Sequence, residues 1–539
     1  MKKIYMKSLP YLVLALLVAA GAYGISGYMS LITRDIIDIA FGSERSSIKD
    51  KAILLLALAA LLFMTQTLLA VTKGYYRRKT NTNLKTHYIK GIFKKNINEF
   101  NQDSNAKYIS HITNDLNNLD NDFVDGIFEI AISIIQFIVF IIIVGGVNKK
   151  ILLILILLGV GMGIISNMLS RPVKKLYEER SILYGVYTGY ISEVLNAFRI
   201  IRVNNLFKKI DENFGERNKM LQDKSYHIEK ISTFIYALQN FTIYMTLLAI
   251  MGISVYYTSK GELSLGGIVL IISNFSSLIG PFERASELFP KIVSSKTLFK
   301  TLDHSMENSE VSNESIELDG FGDEIELRDV SYAYEDNRIF EGVNLRLEKN
   351  KKYLIVGPSG GGKSTLLKLL RKYFAPKSGK ILIDGKDLTT ITKESFFKTL
   401  SNVEQSVFMF DDTLKNNLTL YRDIPQESLD AAVSEAGLSS FVEKLPDGME
   451  TVIEDNGRNI SGGEKSRIAI ARSLLNKSEI LILDEAFQSL DYETAKDIEK
   501  TILSIKDLTV LNVSHIIIGE NKALYDEVLY VDNRKVFIR

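Results

Sequence analysis

The densest chemical signal in the sequence is Gly357-Pro358-Ser359-Gly360-Gly361-Gly362-Lys363-Ser364-Thr365. It fits G-x-x-x-x-G-K-[ST], with the apolar run Tyr353–Val356 before it and the helical run Leu366–Leu370 after it. A triphosphate carries several negative charges, and residues with little or no side chain let backbone N–H groups wrap it closely. Gly357, Ser359, Gly360, Gly362 and Thr365 form that wrap, Lys363 reaches the β- and γ-phosphates, and Ser364 ligates Mg2+. A merely flexible glycine turn has similar composition. Lys-Ser at this offset, between strand and helix, argues for phosphate. Further on, the apolar run Ile480–Leu483 ends in Asp484-Glu485. A buried strand rarely ends in two acids unless they face a site. Asp484 is suited to hold Mg2+, and Glu485 to orient or deprotonate an attacking water. The expected ligands are a triphosphate and Mg2+.

These residues need a scaffold. From Glu324 to Val531 short β-rich runs alternate with helical stretches, which predicts an α/β domain with a largely parallel sheet. Upstream, residues 301–322 turn to Ser, Asn, Asp and Glu and read as an exposed linker. Before that lie six stretches without Asp, Glu, Lys or Arg: Leu9–Ile32, Ala52–Thr72, Ile130–Val147, Ile151–Ser170, Ile231–Ser259 and Leu263–Phe282. Each can cross ~30 Å of hydrocarbon as a helix. The predicted fold is an α-helical six-span transmembrane domain (1–300) with cytoplasmic stalks, the linker (301–322), and an α/β P-loop nucleotide-binding domain (323–539).

Lys and Arg accumulate on the cytoplasmic side of membrane proteins. Lys73, Arg77, Arg78, Lys79, Lys85, Lys90, Lys94 and Lys95 follow the second stretch; Arg171, Lys174, Lys175, Arg180, Arg199 and Arg202 follow the fourth. Both segments are placed inside, and both termini with them. Asn148–Lys150 and Lys260–Glu262 read as short outer turns and Thr33–Lys51 as the first outer loop, with Lys149 and Lys150 running against the rule. The inner connections, Lys73–Glu129 and Arg171–Lys230, lack Gly/Pro clusters, so the spans are expected to continue as helical stalks.

The chain has 539 residues, 46% hydrophobic and 24% charged, with net charge +1. Its apolar stretches exclude a wholly soluble enzyme and a secreted protein, and the near-neutral balance gives no case for a nucleic-acid partner. The absence of Cys excludes disulfides, thiolate metal sites and a cysteine nucleophile. The apolar run from Leu9 is read as the first span rather than a cleaved signal.

At this point the chain resembles the ABC transporter family, and six helices followed by a nucleotide domain resemble its type I exporter half-transporters. Ile460-Ser461-Gly462-Gly463-Glu464 resembles the signature LSGGQ, with Ser461, Gly462 and Gly463 matching and Glu464 in place of Gln. The resemblance makes the triphosphate ATP, and implies that this loop presents amides to ATP held by another protomer. It also implies that Tyr334 stacks on adenine, that Gln405 is the Q-loop glutamine touching Mg2+, that Asp491 belongs to the D-loop, and that His515 is the switch histidine contacting the γ-phosphate. Coupling helices are expected near Asp103–Ser110 and Asn205–Ile210. The stretch Thr451–Gly457 departs from the family's T-x-V-G-E-R-G, lacking its first Gly and its Arg.

One chain carries half of each ATP site, so the resemblance implies a dimer with a second half-transporter, a homodimer being favoured over a heterodimer. It implies an ATP hydrolase in a bacterial plasma membrane, exporting a hydrophobic or amphipathic cargo such as a peptide, drug or lipid. An ATP-gated channel or regulatory membrane module would use the same dimer without pumping. With no Cys and few residues before Leu9, a leader-cleaving cysteine-protease exporter is not expected. Gln136, Gln239, Asn240, Ser273, Asn274, Ser276 and Ser277 are polar groups on spans that serve either cargo or helix–helix hydrogen bonds. Tyr236, Phe241 and Tyr244 line a pocket or face lipid, and Glu129 borders the third span.

Overall fold

The computed structural model describes residues 1–42, 48–308, 314–514 and 517–538. His515 lies outside the described residues, as do the side chains of Arg171, Lys174 and Lys175. The chain divides into two compact units, one of Met1–Lys95 and Asp103–Glu307, the other of Asn96–Gln102 and Asn308–Arg539.

The helices, in chain order, are α1 (Lys2–Met6), α2 (Leu9–Phe41), α3 (Ile48–Ile92), α4 (Ile97–Phe100), α5 (Asn105–Ser110), α6 (Leu116–Leu119), α7 (Gly126–Val147), α8 (Lys149–Asn196), α9 (Phe198–Val203), α10 (Phe207–Ser259), α11 (Leu265–Ser273) and α12 (Phe275–Met306). Among the described residues five helical stretches are long and apolar enough to cross a membrane: Leu9–Phe41, Ile48–Ile92, Asn105–Val147, Phe207–Ser259 and Leu265–Met306. The remaining charge-free stretch, Ile151–Ser170, opens α8. Helices α3, α8 and α10 have 45, 48 and 53 residues. At 1.5 Å per residue they measure about 70–80 Å, more than twice the hydrocarbon thickness.

One expectation is corrected in this unit. The segment Thr33–Lys51 is not all loop, because α2 continues to Phe41. Asp38 therefore sits on a helix, where its carboxylate accepts 2.7 Å hydrogen bonds from the Gly266 backbone N–H and the Ser264 hydroxyl. It thereby neutralises the positive N-terminus of α11. The approach is close: a Cβ at Gly266 would lie 2.2 Å from the Arg34 carbonyl oxygen. Of the residues expected to form coupling helices, Asn105–Ser110 make the short helix α5 and Phe207–Ile210 open α10, and the further short helices α4 and α9 precede them. Asn205 turns the chain into α10 with φ +54°. Lys150 bonds Glu262 at 3.0 Å, so the two short turns Asn148–Lys150 and Lys260–Glu262 lie side by side. Lys150 opposes the charge rule yet has a carboxylate to neutralise it.

In the second unit the strands are β1 (Glu324–Tyr334), β2 (Asn337–Glu348), β3 (Lys352–Val356), β4 (Ser378–Ile383), β5 (Lys386–Asp387), β6 (Leu400–Val403), β7 (Asp412–Thr413), β8 (Val452–Ile453), β9 (Ile480–Asp484), β10 (Thr509–Val513), β11 (Glu527–Asp532) and β12 (Lys535–Ile538). A six-stranded sheet runs β12-β11-β3-β10-β9-β6, parallel except for β12. An antiparallel sheet, β2-β1-β4-β5, shares a core with it, in which Leu327, Val330 and Phe340 pack with Leu511, Val513 and Leu529. The helices of this unit are α13 (Lys363–Leu370), α14 (Lys393–Thr399), α15 (Leu414–Thr419), α16 (Gln426–Glu435), α17 (Ser439–Lys444), α18 (Gly462–Leu475) and α19 (Tyr492–Leu503). Strands β3 and β10 are buried along their whole length. This explains why they read as continuous apolar runs rather than alternating ones. Residues 301–306, expected in the linker, continue α12.

Candidate functional site

Parallel strands with buried faces end at a common edge, and the chemistry sits where they end. Strand β3 runs into the glycine loop and α13. Gly357 has φ +155°, and a Cβ there would stand 2.2 Å from the Val531 carbonyl oxygen. Gly360, at φ +80°, has open space where its Cβ would point. Backbone is therefore held tightly on the sheet side and left accessible on the other. Lys363 is buried, and its ammonium donates to the carbonyl oxygens of Gly357 at 2.9 Å and Pro358 at 3.0 Å. Ser364 and Thr365 follow on the first turn of α13, whose N-cap position is Gly362, with no side chain bonded to that turn. Ser359 lies in the loop itself.

Strand β9 delivers Asp484 and Glu485. Burial pushes the Asp484 carboxyl up, against the opposing pull of Arg371, whose Nη1 lies 3.4 Å away. Burial likewise lowers the Arg371 guanidinium, and the carboxylate acts the other way. Arg371, immediately after α13, escaped the sequence reading. The only signal was a cation closing a helix whose neighbours are otherwise buried leucines. Glu485 sits at φ +53°, a left-handed conformation that costs a non-glycine residue about 1 kcal/mol. Its N–H donates to the Val513 carbonyl oxygen at 2.9 Å, and its Oε2 accepts 2.8 Å from Gln405 Nε2. The structure thus brings Gln405 and Glu485 together.

Ser364, Gln405 and Asp484, assigned to Mg2+ from the sequence, are all oxygen donors, as a hard cation requires. Asp484 is a desolvated carboxylate with a counter-ion at the limit of contact, so these residues fit such an ion.

Tyr334 ends β1 half-exposed, edge-on to Tyr332 (5.2 Å between centroids) and Phe374 (5.6 Å). Lys368 of α13 lies 5.7 Å from the centre of the Phe374 ring. The aromatic platform adjoins the phosphate-loop helix, which suits a flat heterocycle. Phe374 was also missed by the sequence reading.

The signature residues open α18. The Ser461 hydroxyl accepts from the Glu464 N–H at 3.2 Å, and the Ser461 N–H donates to Glu464 Oε2 at 2.6 Å. Gly462 and Gly463 form the first turn against Ser489, where Cβ atoms would stand 3.6 Å and 3.1 Å from it. Asp491 caps α19 by accepting from the Thr494 N–H at 3.0 Å. In the divergent loop, Asn456 Oδ1 accepts from the Met409 N–H at 2.8 Å. The altered residue has a bond of its own.

In the first unit a cavity of about 500 Å³ is bordered by Gln136, Ile243, Phe275, Ser276, Ser277, Ile279, Gly280, Glu283 and Arg284. Of the polar span residues, Gln136, Ser276 and Ser277 line it; Gln239, Asn240, Ser273 and Asn274 do not. Ser273 and Asn274 instead donate to the Leu270 carbonyl oxygen at 3.0 and 2.9 Å, where α11 breaks into α12. Tyr236, Phe241 and Tyr244 are exposed and outside the cavity lining. Glu129 accepts 2.7 Å from Lys73 and 2.8 Å from Arg284, joining α3, α7 and α12.

Comparison with known proteins agrees with these features. Residues 12–282 match the family described as ABC transporter transmembrane region, and residues 340–488 the family described as ABC transporter. The uncharacterized ABC transporter ATP-binding protein YfiC of Bacillus subtilis is 28% identical, over 93% of this chain and 84% of its own. The ATP-dependent lipid A-core flippase of Francisella tularensis is 26% identical, over 76% of this chain and 68% of its own. The solved structure of a bacterial Atm1-family ABC exporter with ATP bound superposes with TM-score 0.83 at 21% identity, covering 99% of this chain and 95% of that one.

Proposed function

The chain belongs to the ABC transporter family, as an ATP-hydrolysing, multi-pass membrane protein, and from that premise we propose that it is one half of an exporter. Two copies, in a bacterial plasma membrane with both termini inside, move a hydrophobic or amphipathic cargo out of the cytoplasm or inner leaflet by alternating access. The observation that carries this reading is the union, on one polypeptide, of membrane-spanning helices and the loop–strand-end cluster of Lys363, Asp484, Gln405 and Glu485.

The chain's own groups do the following. Lys363 lets go of the Gly357 and Pro358 carbonyl oxygens and takes the β- and γ-phosphates. Loop N–H groups and the first turn of α13 hold the remaining phosphate oxygens. Tyr334 and Phe374 hold adenine. Mg2+, when bound by Ser364, Gln405 and Asp484, supplies neutralising charge to the phosphates. Glu485, positioned by Gln405, orients the attacking water and takes its proton, and His515 steadies the γ-phosphate. Ser461, Gly462, Gly463 and Asp491 complete the partner copy's site, so nucleotide clamps two nucleotide-binding regions together. Closure biases the spans toward the outward-open state.

The chain has no Cys, so Lys149→Cys places one label per protomer beside the short outer turn. Pulsed spin-label distances in proteoliposomes should lengthen with Mg·ATP and vanadate and return on washout. An unchanged distance overturns alternating access, and ion conductance persisting without turnover turns the reading into that of a gated channel.

A further inference from the structure

Resting on the exporter reading, we propose that the cavity bordered by α7, α10 and α12 binds an amphipathic organic cation, whose charge is held by Glu283 and whose apolar body lies on Phe275, Ile243 and Ile279. The argument is one of charge balance. Around the neighbouring Arg284, Lys73 pairs with Asp125 at 2.9 Å and Glu129 at 2.7 Å, Arg77 with Asp120 at 2.7 Å, and Arg284 with Glu129 at 2.8 Å. Three cations and three carboxylates cancel, which uses up the cavity's own positive charge. Glu287, one turn beyond Glu283, is held by Lys291 at 2.8 Å. Glu283 borders the cavity and has no hydrogen-bond or ion-pair partner among the described residues.

Glu283 is exposed at the border of the cavity, so its unpaired carboxylate is open to an incoming cation. Glu283 lies immediately past the charge-free run Leu263–Phe282, at the level where Glu129 precedes Ile130. That is the inner-leaflet end of the spans under the orientation proposed above. The cavity, at about 500 Å³, falls within the size range of pockets for drug-sized molecules. Gln136, Ser276 and Ser277 supply neutral polar contacts that fix orientation without opposing the charge. An anion of the same shape would meet the uncompensated carboxylate and be rejected.

The test uses two probes of one shape and opposite charge, tetraphenylphosphonium and tetraphenylborate, with the purified full-length dimer in neutral detergent. The phosphonium should bind saturably without nucleotide, and the borate weakly or not at all. Glu283→Gln should raise the phosphonium Kd at least about tenfold. Glu283→Asp should keep most of the affinity, and Glu287→Gln should leave it unchanged. Equal binding of the two ions, undiminished binding by Glu283→Gln, or no saturable binding overturns the proposal. The Lys149 distance measurement separates the two readings. A nucleotide-driven change without cation binding sinks only the cargo assignment. Cation binding dependent on Glu283 without that change sinks only the exporter.

Discussion

Two helices of the second unit begin at glycines to which the proposed mechanism assigns a phosphate, and they begin differently. Helix α13 starts after Gly362, at φ +107°, with no side chain bonded to its first turn. Helix α18 starts after Ser461 inside a closed capping box, with the Glu464 carboxylate 2.6 Å from the Ser461 N–H. Every helix leaves four N–H groups unpaired at its start. In α13 the phosphate loop leaves them for a ligand, and a lysine latched onto the loop's carbonyl oxygens keeps a positive charge at the same place. In α18 the capping box answers two of them, the Ser461 N–H with the Glu464 carboxylate and the Glu464 N–H with the Ser461 hydroxyl, while the Gly462 and Gly463 N–H groups have no partner among the described residues. The family's signature has Gln where this chain has Glu, so here a fixed negative charge stands at the end that the proposed dimer would bring to a phosphate. A Gly-rich helix start is therefore not one kind of anion site. What matters is whether the sequence leaves the donors open or supplies its own acceptor.

The largest effect should come from the open end. Lys363→Ala removes the ammonium that two phosphates share, and each charged contact is worth about 1.5–3 kcal/mol. ATP affinity, read by equilibrium binding of a fluorescent analogue, should fall at least about 100-fold. Near-normal affinity would mean that backbone N–H groups alone make the site, erasing the distinction between the two helices. Next comes Glu485→Gln. Loss of a general base costs about 10²–10⁴ in rate. Turnover should collapse while ATP binding stays within a few-fold, with the closed dimer trapped. Retained turnover would reassign the base.

A smaller effect is expected at the far end of α13. Arg371→Met leaves the buried Asp484 carboxylate without its 3.4 Å counter-ion, and breaking a buried pair costs about 3 kcal/mol. The sign follows from burial, which already raises the Asp484 pKa and is opposed by Arg371. The penalty is present above the folded-state pKa and fades as pH falls through it. Thermal unfolding of the nucleotide-free protein should therefore show a deficit that is largest at neutral pH and narrows on acidification. Mg·ATP should also narrow it. A pH-independent deficit would mean that Arg371 acts by packing, not charge.

The sequence made one half of this molecule legible and left the other obscure, for a physical reason. Phosphate binding demands small residues at fixed offsets, because Gly357 has no room for a Cβ beside Val531. Such constraints print themselves as motifs. The apolar runs of β3, β9 and β10 and the long helices follow likewise from burial and from the width of a bilayer. Arg371 and Phe374 left no motif, since their roles come from chain segments meeting in space. The same holds for the cavity. Of seven polar span residues, three line it and two bond their own helix backbone. In a membrane both solutions satisfy a polar side chain equally well, and periodicity does not tell them apart. His515 lies outside the described residues, and its role rests on the resemblance.

The finest test of the comparison is Glu464→Gln. Gln serves as well as Glu in a capping box, so the geometry at Ser461 should persist. The lost negative charge at the helix start should cost about 0.5 kcal/mol of stability, measured as a slightly lower Tm. What the partner's phosphate meets should change more. With the fixed anion gone, closure should need less nucleotide. In a Glu485→Gln background, the ATP concentration that half-converts the Lys149 distance distribution should fall by about three- to tenfold, as expected for ~1 kcal/mol of relieved repulsion. Ser461→Ala is the companion. It removes the hydroxyl acceptor but leaves the Glu464 charge, so it should lower stability by about 1 kcal/mol without easing closure. If both variants shift closure alike, the capping box and not the charge governs the signature helix. If neither does, α18 meets its phosphate as openly as α13, and the difference in their first turns carries no functional weight.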